Sequence, residues 1–140
     1  MDSEHSLQIA AELNNLAVVR RFIQEKSASL HADADTAADV VLAVDEVVTN
    51  IIVHGYRGKN GTIEVALKRH NDRLVVSLRD HAPAFDPTKL PAPDINLPLE
   101  QRPLGGMGVY LVMELMDKVS YRAINGGNEL TLEKRIANAG

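Results

Sequence analysis

The sequence predicts an α+β domain, a two-layer α/β sandwich in which a mixed, mostly antiparallel sheet is covered on one face by helices. Three observations predict it. Two pairs of stretches alternate apolar and polar residues around turn-prone residues, the pattern of β-hairpins. Other stretches, before and between those pairs, carry apolar residues at helical spacing. All six prolines fall between Pro83 and Pro103, while residues 1–54 hold neither Pro nor Gly, so regular structure comes first and one long irregular loop follows.

Leu7, Ile9 and Ala11 alternate with polar or small neighbours, which predicts a strand over 6–12. From Asn14 the spacing of Leu16, Val19, Phe22 and Ile23 turns helical. Residues 33–54 give the strongest helical pattern: Val40, Val44, Val47, Val48, Ile51 and Ile52 form one stripe. Asp33 and Asp35 suit the positive N-terminal end, and Gly55 stops the run. Ile63, Val65 and Leu67, then Leu74, Val76 and Leu78, predict a hairpin of strands 62–69 and 73–79 turning at Asn71-Asp72. The proline-bearing stretch reads as a lid over 88–104. Residues 109–116 carry helical spacing, and a second hairpin runs from Val119 through the turn Asn125-Gly126-Gly127-Asn128 to Leu132. The order is β-α-α-β-β-lid-α-β-β.

One domain, 1–140, is the expected organisation, because compact units usually run about 100–150 residues. Hydrophobic residues make up 45% and charged residues 24%, enough to build a core and unlike a disordered chain. The net charge of -4 provides no global positive field, so neither nucleic acid nor an anionic membrane is an expected partner. The absence of cysteine removes disulfides, thiolate metal sites and thiol nucleophiles, which suits a reducing cytoplasm. Val40–Val53 is interrupted by Asp45, Glu46 and Asn50, well short of a membrane span. The start, Met1-Asp2-Ser3-Glu4-His5, lacks the positive charge of a signal peptide, so the chain is expected to be cytoplasmic.

Three places could carry chemistry. Glu46, Asn50 and His54 recur every four residues and form a polar ridge off the apolar stripe. An amide oxygen is a hard ligand for a phosphate-bound Mg2+, and a carboxylate one turn away can take a proton from a hydroxyl. The same spacing also describes a solvated helix face. His54 suits the negative end of a helix, and no other histidine stands at metal-ligand spacing. Asp80 sits where an apolar strand gives way to Arg79-Asp80-His81-Ala82-Pro83-Ala84-Phe85-Asp86-Pro87. It could accept a hydrogen bond from the exocyclic amine of a base, or it could start a turn. Gly105-Gly106-Met107-Gly108 precedes the helix beginning at Val109. Backbone N–H groups there could meet phosphates, or the glycines could be a hinge. No Lys-Ser/Thr follows, so this is not a Walker loop.

Together the three stretches resemble a known family. Glu46-Val47-Val48-Thr49-Asn50 with His54-Gly55-Tyr56, then Asp80 with Phe85-Asp86-Pro87, then Gly105-Gly106-Met107-Gly108-Val109-Tyr110-Leu111-Val112 are similar, in order, to the N, G1 and G2 boxes of the GHKL ATP-binding superfamily. The likeness is greatest to its anti-sigma-factor serine kinases and spans residues 7–135. The resemblance implies the Bergerat fold, ATP and Mg2+ as cofactors, Asn50 on the Mg2+, and Glu46 as the catalytic residue activating the attacking hydroxyl. It implies Asp80 on the adenine amine, flanked by Ala82 and Phe85, and Gly105, Gly106, Met107, Gly108 and Val109 around the triphosphate beneath the lid. It further implies a homodimer whose partners are a sigma factor and an anti-anti-sigma protein of the STAS type, the latter phosphorylated on serine. The chain departs from the pattern at Ala82 and Ala84, where the family carries glycine. A methyl there narrows the pocket, and glycine-only backbone angles would be costly. This departure motivates the alternative of a noncatalytic protein-binding module that senses nucleotide or has lost it.

Overall fold

The computed structural model describes residues 4–89 and 106–137. Strand β1 covers His5–Ala10, helix α1 Leu16–Ser29 and helix α2 Ala34–Asn50. Strands β2 (Thr62–His70) and β3 (Arg73–Asp80) form the first hairpin, and helix α3 (Gly106–Leu115) leads to β4 (Lys118–Ile124) and β5 (Gly127–Arg135). The sheet order is β1-β2-β3-β5-β4, and each neighbouring pair is antiparallel. The expected order of strands and helices therefore holds among the described residues, on a sheet whose described pairings include no parallel one.

Along β2, β3 and β5 the apolar core residues recur at every second position. Ile63, Val65, Leu67, Leu74, Val76, Leu78, Leu130 and Leu132 are buried together with Val19, Phe22 and Ile23 of α1 and Val40, Val44, Val47 and Val48 of α2, in one core between sheet and helices. The opposite face carries a row across the sheet, Gln8, Glu64, Arg79, Glu129 and Arg122, set side by side by the strand register. Arg79 bonds Glu129, which also pairs with Arg122 at 2.9 Å. This bond, followed by the Glu129 charge, holds the Arg79 guanidinium above its ordinary range. Arg79 is thus committed to the face away from Asp80, its neighbour in the chain.

Several boundaries differ from the expectation. β1 ends at Ala10, because the Ala11 N–H turns to Gly61 O at 2.9 Å and Asn15 Nδ2 closes back on Ala10 O at 2.9 Å. A short turn then delays α1 to Leu16. α2 does not continue as an α-helix to His54: after Asn50 the backbone widens into a π-helical turn, Ile51–Gly55, closed by the Tyr56 N–H on Ile51 O at 2.8 Å. That turn delivers Tyr56 into the core, where its hydroxyl donates to Thr62 O (2.6 Å) and accepts from the His81 N–H (2.7 Å). In the second hairpin the turn is only Asn125-Gly126, with Gly126 at φ 80°, and β5 already begins at Gly127. Gly127 belongs in the strand because a Cβ there would stand 1.8 Å from the Asp80 carbonyl oxygen, so only glycine lets β5 close on β3.

α2 starts at an N-cap, Asp33, whose carboxylate accepts from the Thr36 N–H (3.1 Å) and the Thr36 hydroxyl (2.6 Å). The Ala137 N–H reaches the same pair, at 3.2 Å from Asp33 Oδ1 and from Thr36 Oγ1, tying the end of the described chain to this helix. The Thr36 hydroxyl first, and its amide next, hold the Asp33 carboxyl below its ordinary range. A carboxyl depressed in the folded state stabilises above its unfolded pKa, about 3.9, and loses that contribution as pH falls through the lower folded value. The melting-temperature gap between wild type and Asp33→Ala is therefore expected to be full at neutral pH and to shrink below about pH 4. A gap independent of pH would remove the charge from this account of the cap.

Candidate active site

The π-turn, the end of β3 and the first turn of α3 meet around a cleft of about 900 Å³. Asn50, His54 and Gly55 line one wall, Asp80, Ala82 and Phe85 a second, and Val109, Val112 and Met113 a third. Tyr121, Asn128 and Leu130 of the second hairpin form the base. The lining is mostly apolar with a few convergent polar groups, the usual composition of a small-molecule site. The cleft lies where β3 ends at Asp80 and the π-turn Ile51–Gly55 leads out of α2.

At one end, Glu46 and Asn50 stand one turn apart on α2 and face the start of α3. A Cβ built on Gly108 would lie 2.7 Å from Glu46 Oε2 and 3.4 Å from Asn50 Nδ2, so α3 enters beside both side chains and a larger residue there would push the Glu46 carboxylate aside. The helical backbone begins at Gly106 and not at Val109: two of the glycines are the first turn itself. The N–H groups of Gly106, Met107, Gly108 and Val109 are then the ones a helix leaves without an internal acceptor, next to an amide oxygen and a carboxylate. Gly105 and nearly all of the lid expected over 88–104 lie outside the described residues, which resume at Gly106. Because of the π-turn, His54 leaves the four-residue ridge and is exposed at the cleft rim.

At the other end, Asp80 is 5% exposed. Its Oδ1 accepts from the Ala82 N–H and from Asn128 Nδ2, each at 2.9 Å, and Oδ2 bonds no other described residue. The turn reading of Asp80 and the ligand reading are thus compatible, since one oxygen starts the turn while the carboxylate still lines the cleft. Ala82 is buried. Positive φ among the described non-glycine residues occurs only at His31, Arg57 and Asn71, so Ala82 and Ala84 adopt angles open to any L-residue. The glycine-only conformation anticipated for this loop is not the one taken. The Ala82 methyl instead packs toward Gly55, where an added Cβ would stand 3.2 Å from it. Phe85 is 57% exposed at the mouth, and Asp86 Oδ1 accepts from the Thr88 N–H at 2.9 Å to close a short turn at Pro87–Lys89.

Sequence reading alone placed Asn128 in a turn. In the structure it is buried, opposite Asp80 in the β3–β5 register, and bonded on both ends of its amide. Tyr121, whose hydroxyl bonds Asn128 Oδ1, and Tyr56, which ties the π-turn to the Asp80 loop, were likewise missed as site residues.

The residues fit a magnesium ion of the phosphate-held kind. Asn50 offers one hard oxygen, and among the described residues no group of three His, Cys, Asp or Glu side chains forms an all-protein cage. Nor is any described helix long and apolar enough to cross a membrane.

Comparison with known proteins agrees in fold and sequence. The histidine kinase-like ATPase domain family matches residues 9–134. A serine-protein kinase RsbW of Bacillus cereus is 30% identical over 117 residues, covering 81% of this chain and 73% of that one. The RsbW protein of Bacillus mycoides is 29% identical over the same length and coverage. Among solved structures, the RsbU and RsbW domains of Rv1364c from Mycobacterium tuberculosis superpose with a TM-score of 0.62 at 23% identity. That match covers 94% of this chain and 32% of the larger one, and it speaks for the fold.

Proposed function

The chain belongs to the histidine kinase-like ATPase domain family, and from that premise we propose that it is an ATP-dependent protein serine/threonine kinase of the anti-sigma-factor type. Its relatives named serine-protein kinase support the reaction. The observation that carries the reading is the approach of Gly108 to both Glu46 and Asn50 at one end of a cleft whose other end holds Asp80. An adenine amine at Asp80 and a triphosphate at the first turn of α3 would span that cleft beside Ala82, Phe85 and Val109.

In this reading Asp80 Oδ2 accepts from the adenine amine, and the N–H groups of Gly106, Met107, Gly108 and Val109, with Gly105 beside them, donate to phosphate oxygens. Asn50 Oδ1 would hold the Mg2+, which when bound neutralises phosphate charge through the transfer. Glu46 accepts the proton of the attacking serine hydroxyl. The serine oxygen bonds the γ-phosphorus, the bond from that phosphorus to the bridging oxygen breaks, and ADP leaves. Residues 88–104 act as the lid. The substrate is a serine on an anti-anti-sigma protein of the STAS type, and a sigma factor is the alternate partner of a cytoplasmic homodimer.

The test is incubation with labelled ATP, Mg2+ and STAS-type proteins. The expected result is phosphoserine on at least one of them. ATP binding without transfer to any would leave the noncatalytic nucleotide-sensing module as the function.

A further inference from the structure

We infer that Asn128 is a positioning residue that fixes the polarity of the purine-reading carboxylate, so that the cleft selects 6-amino over 6-keto purine nucleotides through an amide on β5. The inference rests on the ATP reading above and concerns how that site chooses its base.

The orientation of the Asn128 amide is dictated by its neighbours. The Phe85 N–H, which can only donate, points at one end of the amide at 2.9 Å, and the Tyr121 hydroxyl meets the same atom. That end must be the oxygen. The other end faces Asp80 Oδ1 at 2.9 Å and the carbonyl oxygens of Ala82 and Pro83, each at 3.2 Å, all of them acceptors. That end must be the NH2 group. Exchanging the two would set donor against donor at Phe85 and acceptor against acceptor at Asp80, Ala82 and Pro83, four contacts with one-way partners, so the amide has one orientation.

A consequence follows for Asp80. Both partners of its Oδ1, the Ala82 N–H and the Asn128 NH2, are donors, so Oδ1 is held as an acceptor. The carboxylate cannot turn over freely. Its second oxygen is the one left to the cleft, and an ionised oxygen there accepts a hydrogen bond and repels a keto oxygen. The same amide also bonds the Ala82 and Pro83 carbonyls and the Phe85 N–H, all three residues of the cleft lining, so the loop after Asp80 is held by the residue that sets its polarity.

The experiment measures the calorimetric affinities of ATP and of ITP, which carries a keto oxygen in place of the amine. It uses wild type, Asn128→Asp and Asp80→Asn, with thermal melts for each. Wild type is expected to prefer ATP by at least about tenfold, since a site built around a hydrogen bond rejects the partner that cannot make it. Asn128→Asp keeps the acceptor for Phe85 and Tyr121 but sets a second carboxylate oxygen against Asp80. It is expected to weaken ATP at least about tenfold and to reduce the preference to less than about threefold. In Asp80→Asn the Ala82 N–H and the fixed Asn128 amide still require an oxygen at their end, which turns the new NH2 into the cleft, and the preference is expected to pass to ITP. Asn128→Asp that melts cooperatively with undiminished discrimination, or that loses both nucleotides by one common factor, overturns the assignment. So does any ordering in Asp80→Asn other than ITP first, which decides the matter if Asn128→Asp does not fold. Wild type that binds neither nucleotide overturns the ATP reading and this assignment with it.

Discussion

Glu46→Ala is expected to slow phosphoryl transfer to serine by about 10²–10⁴-fold while ATP affinity stays within about twofold of wild type. The reason lies in where the side chain sits. Glu46 does not line the cleft that would hold the base, and its Oε2 instead meets α3 at Gly108, where the terminal phosphate would end. Removing it takes away a proton acceptor for the serine hydroxyl without removing a contact to the purine. Single-turnover rates with preformed protein–ATP complex separate the two effects, because they report chemistry after binding is complete. Glu46→Gln should behave like Glu46→Ala, since the amide keeps the shape of the carboxylate and is a far weaker base. Turnover at the wild-type rate in either variant would strip Glu46 of the role.

Asn50→Ala is expected to weaken ATP binding by at least about tenfold when Mg2+ is present and to change little when the metal is chelated. Asn50 is half-buried on the last turn of α2 beside the glycines of α3 and offers an amide oxygen where no cage of carboxylates stands among the described residues. Its contribution should therefore depend on the metal. Titration of each protein with ATP in Mg2+ and then in a chelator gives the four affinities needed. An equal loss in both conditions would make Asn50 a direct phosphate contact and not a metal ligand.

Much of this architecture is legible in the sequence because the core is simple. The period-two runs Leu74-Val76-Leu78 and Ile63-Val65-Leu67, and the helical stripe Val40-Val44-Val47-Val48, bury the faces that their spacing selects. Glu46, Asn50 and Asp80 stand out as polar residues at the margins of those apolar runs. The π-turn after Asn50 is not legible, because Ile51 and Ile52 continue the apolar stripe, His54 continues the polar ridge, and only the anchoring of Tyr56 by Thr62 and His81 reveals the widening. The room for the Ala82 methyl is hidden for a similar reason: it lies against Gly55 of another element. Asn128 was concealed by the glycines before it, which drew it into a turn. One signal was present, however. Asn128 shares the inward phase of Leu130 and Leu132, as Asp80 shares that of Leu74, Val76 and Leu78, so two polar residues at matching ends of paired core-facing runs had to meet.

The most direct measurement is a crystal structure of the protein with Mg2+ and a non-hydrolysable ATP analogue. Its adenine amine should lie within hydrogen-bonding distance of Asp80 Oδ2, its phosphates against the N–H groups of the first turn of α3, and its metal on Asn50 Oδ1. A nucleotide seated outside the cleft, or one inside it with the base turned away from Asp80 and the phosphates away from Gly106–Gly108, would contradict the account.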